Sequence, residues 1–145
     1  MFNTTLLITA SGLTLLAAVA SGSAQTAPAK PVTTSSGIYT AGQASRGEQT
    51  YMNICVSCHP PGTYTAPAFK DKWNGAPLSQ LYGLVSQTMP KQEPATLTPE
   101  EYSDVVAYLL KINGAPAGKK ALPPDPKELK KIRISWSSKA GSRGQ

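Results

Sequence analysis

The two cysteines of this 145-residue chain and its only histidine lie within five positions, in the run C-V-S-C-H from Cys55 to His59. This cluster limits the chain more than any other feature, because a thiol or an imidazole can come from nowhere else. Two cysteines three positions apart can form a disulfide, act as a redox-active dithiol or hold a cofactor. Other features of the sequence distinguish among these three uses.

Zinc binding and thiol chemistry fit the sequence poorly. A structural zinc site takes four ligands, commonly Cys and His, and this chain has only three such residues. A thiol–disulfide oxidoreductase places its attacking cysteine at the start of a helix that follows a strand, whereas here a helical pattern runs into Cys55. The adjacent His59 could lower a thiol pKa, so dithiol chemistry stays open as an alternative. A structural disulfide would close too small a loop to stabilise much.

Covalent haem attachment is the use for which C-x-x-C-H is the signature. Two thiols three positions apart lie on one side of a helical turn, from which they can add to the two vinyl groups of a haem. His59 then faces the iron. The opposite position either takes a second ligand or stays open. Met89 is the candidate ligand, since Met1 belongs to the leader. We expect Met52, on the same helix as Cys55, to serve in packing.

Helical periodicity predicts an all-α domain, and no strand-period run of useful length occurs. Three helices are expected to begin at Thr40, Leu78 and Thr98. The first and third have capping-box spacing, and the third has proline at its first position. Residues 63–75 are expected to form a loop. Its apolar anchors are Pro67, Phe69 and Trp73.

The amino-terminal residues predict export. Residues 1–24 contain an uncharged apolar run followed by small residues, which is typical of a signal peptide cleaved after Ala24. The run is shorter than the ~20 residues that span a bilayer, so no stable membrane span is expected after cleavage. Residues 25–38 are interpreted as a flexible linker before a folded domain at 39–118. The expected location is the periplasm or another exported site.

The carboxyl-terminal residues carry the charge of the chain. Residues 119–145 have eight basic and two acidic residues, which equals the net charge of +6 for the whole sequence. We interpret them as a loose basic tail with one brief helix near Asp125. A mobile solvated end and electrostatic steering toward an acidic partner or membrane surface both remain open. Export argues against nucleic acid as a partner.

A wider pattern surrounds the cysteine–histidine cluster. It consists of Gly47, Tyr51, the C-V-S-C-H run, Thr88-Met89-Pro90 and the helix from Thr98 that contains Tyr108. Over about residues 39–118 the chain therefore resembles class I c-type cytochromes. The resemblance implies a small cytochrome c fold, with three to four helices around one covalently bound haem c. The first and last helices would cross at Gly47, beside Tyr51 and Tyr108.

The resemblance also suggests roles and partners. The run from Trp73 through L-Y-G-L-V-S-Q-T-M-P is similar to small exported cytochromes often associated with quinoprotein dehydrogenases. Trp73 or Tyr64 is a candidate to hydrogen-bond a haem propionate, and the Pro67 carbonyl is a candidate partner for the His59 ring. We expect an electron carrier without catalysis of its own, between a dehydrogenase and a cytochrome or oxidase. The alternative is a haem enzyme or gas sensor with an open sixth iron position.

Overall fold

Helices supply the regular structure of the residues described by the computed structural model, which are Met1 and residues 30–136. The six α-helices are α1 (Ala41–Thr50), α2 (Gly62–Thr65), α3 (Pro67–Trp73), α4 (Leu78–Thr88), α5 (Pro99–Ile112) and α6 (Pro126–Leu129). A 3-10 turn, Thr34–Ser36, precedes α1, and a π-helical turn, Tyr51–Cys55, continues it. The described residues contain no strand, so the predicted all-α fold is confirmed. No helix in this part of the chain is long and apolar enough to cross a membrane.

Helix starts agree with the capping residues of the sequence. The Thr40 hydroxyl accepts a hydrogen bond from the Gln43 amide, which begins α1. Thr98 and Glu101 form a complete capping box at the start of α5. Each side chain supplies a partner for an amide that the first turn of a helix leaves free. These local contacts explain why both starts could be predicted from the sequence.

The loop predicted for residues 63–75 is wrong, because most of it is helical. Pro67 occupies the first position of α3, where its fixed φ suits a helix and its missing N–H costs nothing. Pro61 similarly precedes α2. Each proline therefore lies at, or immediately before, the start of a short helix.

Helices α1 and α5 pack closely where they cross. A Cβ atom on Gly47 would lie 1.8 Å from the carbonyl oxygen of Asp104 and 2.3 Å from its carbonyl carbon. Only glycine permits this approach of two backbones. Beside the crossing, the rings of Tyr51 and Tyr108 have centroids 5.0 Å apart, as the cytochrome resemblance implied.

Residues 119–136, here called the C-terminal strap, belong to the core of the domain. Its buried apolar side chains are Leu122, Leu129, Ile132 and Ile134. The side-chain amide of Gln43 on α1 accepts a hydrogen bond from the Leu122 amide at 2.7 Å and donates one to its carbonyl at 2.9 Å. The predicted domain end at residue 118 and the loose tail are therefore wrong for this stretch, because four buried apolar residues hold it to the core.

The strap also holds the chain before α1. The Thr34 amide donates to the Arg133 carbonyl at 3.0 Å, and the Arg133 amide donates to the Val32 carbonyl at 2.9 Å. On its other side, the Ile134 amide donates to the Ala76 carbonyl at 2.9 Å. The flexible linker predicted for residues 25–38 is thus wrong from Val32 onward. The predicted leader beyond Met1, residues 25–29 of the predicted linker and residues 137–145 of the tail lie outside the described residues.

Candidate haem site

A cavity of about 550 Å³ lies between the π turn, α3, α4 and α5. Its size falls within the roughly 300–1,000 Å³ of ligand and cofactor sites. Its lining includes five residues singled out from the sequence, namely Cys55, Cys58, His59, Trp73 and Met89. The structure therefore brings these five together, although up to 34 positions of sequence separate them.

The cysteine pair and His59 sit on one continuous turn at the end of the first helix. The amides of Cys58 and His59 both donate to the Cys55 carbonyl, at 3.2 and 2.9 Å. The two cysteines form no disulfide with each other, and Cys55 is half-buried whereas Cys58 is exposed. Burial raises the pKa of the Cys55 thiol, whereas the attacking cysteine of a dithiol enzyme needs a lowered pKa. The burial of Cys55 thus does not favour the dithiol alternative.

Tyr51 ties this turn to the core of the domain. It is buried, and its hydroxyl donates a hydrogen bond to the backbone carbonyl of His59. Burial raises the pKa of the Tyr51 hydroxyl, and the neighbouring Tyr64, Tyr108 and Cys55 add to the effect, so the phenol remains a neutral donor. Sequence reasoning placed Tyr51 only at the helix crossing. The bond to His59 depends on how the chain turns after Cys55, which no local pattern shows.

Met89 enters the cavity from another part of the chain. It is the residue immediately after α4, and its amide donates to the Val85 carbonyl at 3.1 Å. Met52, by contrast, does not line the cavity, and 44% of its surface is exposed. The packing role predicted for Met52 is therefore wrong. Of the two methionines in residues 30–136, only Met89 lies at the cavity.

The family described as cytochrome c oxidase, cbb3-type, subunit III matches residues 42–109. The match covers 68 of the 145 residues and supports a c-type cytochrome domain in this segment. The match contains the C-V-S-C-H run, Met89 and most of α5. Comparison with curated proteins and with solved structures gave no match. A cytochrome domain of this type implies haem c and electron transfer, which supports the predicted class of protein.

Aromatic residues form one wall of the cytochrome cavity. The Tyr64 ring lies 5.8 Å from the ring of His59 and 5.3 Å from Phe69, centroid to centroid. Tyr64, Phe69 and Trp73 all line the cavity. Pro67 does not, and the described residues include no hydrogen bond from the His59 ring to its carbonyl. The residues considered for hydrogen-bonding a haem propionate, Tyr64 and Trp73, therefore lie at the cavity. The residue considered as a partner for the His59 ring, Pro67, does not.

The chemistry of the lining suits a haem better than a bare metal ion. Most of the lining is apolar, and the described residues hold no group of three or more His, Cys, Asp or Glu that could bind a metal ion. Imidazole and thioether are the ligands that cytochromes c use for haem iron. The charged residues at the cavity are Lys72 and Lys91, so the lining favours an apolar macrocycle with anionic groups.

Proposed function

We propose that this cytochrome carries single electrons on one haem c, bonded to Cys55 and Cys58 and ligated by His59 and Met89. One observation supports it most directly: the same cavity collects both thiols, the only imidazole of the chain and the thioether of Met89. When bound, a haem with His and Met ligands supplies one-electron transfer at a raised potential.

The residues of the chain have separable roles in this proposal. Cys55 and Cys58 would hold the haem through two covalent bonds, since they lie on one helical turn. Tyr51 holds the backbone of His59 in place through its hydroxyl. The apolar walls of the cavity exclude water, and a low-polarity environment disfavours the extra positive charge of the oxidised state. With His59 and Met89 as its ligands, the iron would keep no open position for a substrate.

Replacing Met89 tests the ligation. We expect ferric wild-type protein to show the weak far-red absorption band of iron bound to methionine sulfur, and Met89→Ala to abolish it and lower the reduction potential. Met52→Ala is the matched control, since Met52 is exposed and lies outside the cavity. A band that survives in Met89→Ala would reject this ligand. A wild-type protein that lacks the band and binds carbon monoxide rapidly would instead support the alternative haem enzyme or gas sensor.

Replacing the cysteines tests covalent attachment. We expect haem to stay with the wild-type chain after denaturation and extraction with acidified solvent. In a variant carrying Cys55→Ala and Cys58→Ala, the same treatment should release all of it. Ser57→Ala, between the two cysteines, should behave as wild type. Complete release of haem from wild type would contradict the proposed attachment.

We further propose that the cytochrome is exported after loss of residues 1–24. Its electrons would come from a dehydrogenase and pass to a cytochrome or oxidase. The support is the leader-like composition and the resemblance to exported cytochromes associated with quinoprotein dehydrogenases. Mass spectrometry of the mature protein should place its first residue at Gln25. Co-purification from native membranes or periplasm should recover the donor, whereas a chain retaining residues 1–24 in the cytoplasm would contradict export.

A further inference from the structure

Tyr102 on α5 joins the two ends of the segment that contains Met89. Its ring is 3% exposed. Its hydroxyl donates a 2.6 Å hydrogen bond to the Met89 carbonyl and accepts a 3.4 Å bond from the Leu97 amide. A single phenol on the longest helix therefore closes the stretch 89–97. Tyr102 does not itself line the cavity, and the hydrogen bonds of its hydroxyl connect it to the site through this stretch.

The backbone of Met89 is held on both sides. Its amide donates to Val85 at the end of α4, and its carbonyl accepts from Tyr102 and, at 3.4 Å, from the Ala95 amide. A methionine side chain has three rotatable bonds. Because the side chain itself is flexible, a fixed backbone is the main way to keep its sulfur in one place.

We propose that Tyr102 is a positioning residue that keeps the Met89 sulfur on the haem iron and protects that bond against competing ligands. The proposal rests on the proposed function, since it requires Met89 to be a ligand. Without the phenol hydroxyl, the Met89 carbonyl and the Leu97 amide both lose a partner. The segment between them then samples more conformations, and the sulfur leaves the iron more often.

Tyr102→Phe in the haem-containing protein removes only the hydroxyl, and imidazole is the probe that competes for the iron. In ferric protein we expect imidazole to bind about tenfold more tightly than to wild type, since a lost hydrogen bond to a buried group costs about that factor. The control is Tyr82→Phe. Tyr82 is 5% exposed on α4 and lies outside the cavity lining, and its hydroxyl donates to the Pro99 carbonyl at 3.3 Å. That variant should lose similar stability and keep its imidazole affinity.

Each outcome has a defined meaning. Unchanged imidazole affinity in Tyr102→Phe, or equal tightening in both phenylalanine variants, overturns the positioning role while leaving Met89 as ligand. A wild-type ferric protein without the far-red band contradicts the ligation itself, so the two failures are distinguishable. If Tyr102→Phe does not fold, amide exchange of the wild-type protein decides. We expect the Leu97 amide to exchange at least about tenfold slower than in an unfolded chain, and exchange at the unfolded rate overturns the proposal.

Discussion

The α1–α5 crossing and the cavity wall are packed in opposite ways. At the crossing, backbone meets backbone at Gly47, and the flanking rings of Tyr51 and Tyr108 are nearly inaccessible to solvent. At the cavity, the apolar residues Ile54 and Leu84 are 42% and 45% exposed. Protein contacts alone therefore bury the side chains at the crossing, whereas the exposed side chains of the cavity wall would be covered by a bound molecule. Substitutions in the first region should change stability, and those in the second should change the site.

The largest expected effect is that of Gly47→Ala. Its Cβ would lie 1.8 Å from the Asp104 carbonyl oxygen, and because that atom belongs to a helix backbone, α1 and α5 would have to separate. We expect a loss of at least about 4 kcal/mol in the free energy of unfolding, measured by guanidinium denaturation of the haem-containing protein.

Gly42→Ala is the matched control within the same helix. A Cβ there meets only the end of the Arg46 side chain, at 4.0 Å. Because alanine favours a helix over glycine by up to about 1 kcal/mol, we expect Gly42→Ala to be neutral or slightly stabilising. Equal losses in the two variants would show that the crossing is less tightly packed than the distances indicate.

The C-terminal strap should contribute to the free energy of unfolding, as the α1–α5 crossing does. Ile134 is 1% exposed, so Ile134→Ala should cost about 3 kcal/mol through lost burial and the cavity left behind. Lys130→Ala on the same strap removes an exposed side chain and should change stability little. If thermal unfolding showed little loss of stability in Ile134→Ala, the strap would behave as the loose tail that the sequence predicted.

The strap marks the limit of what the sequence could predict. Local signals placed α1, α4 and α5 correctly, because Thr40 and Thr98 cap helices through contacts within four residues. The cluster at Cys55 and the position of Met89 likewise pointed to one site, since few residues in the chain could serve. The strap is held by pairings such as Thr34 with Arg133, about 100 positions apart. Its many lysines suggested solvent, while its apolar residues were too widely spaced to indicate burial.

The third prediction tests whether the strap supports the cavity wall. The Trp136 indole donates to the Lys70 carbonyl on α3 at 2.8 Å, and its ring lies 6.0 Å from Phe69, which lines the cavity. Trp136→Phe keeps an aromatic ring and loses the donor, so we expect a cost of about 1 kcal/mol. Amide exchange should accelerate in α3 but not in α1. Uniform acceleration across both helices would mean that Trp136 contributes only to global stability.

The smallest effect concerns alkaline pH and lies away from the cavity. Burial raises the pKa of the Tyr39 hydroxyl, an effect that the positive charge of Lys111 partly offsets, and the hydroxyl donates to the Ala115 carbonyl at 2.6 Å. Below about pH 10 the phenol is protonated in both folded and unfolded chains, so its contribution to stability is fully present. Above that pH the unfolded chain ionises first, and the contribution is lost as the pH rises toward the folded-state pKa.

Unfolding of wild type and Tyr39→Phe from pH 8 to pH 11 measures this contribution directly. The stability difference between them should stay constant up to about pH 10 and shrink above it, because phenylalanine cannot ionise in either state. Changes in iron ligation at alkaline pH should affect both proteins equally and cancel in the difference. A difference that grows with pH would mean that the folded protein stabilises the phenolate, contrary to the burial of Tyr39.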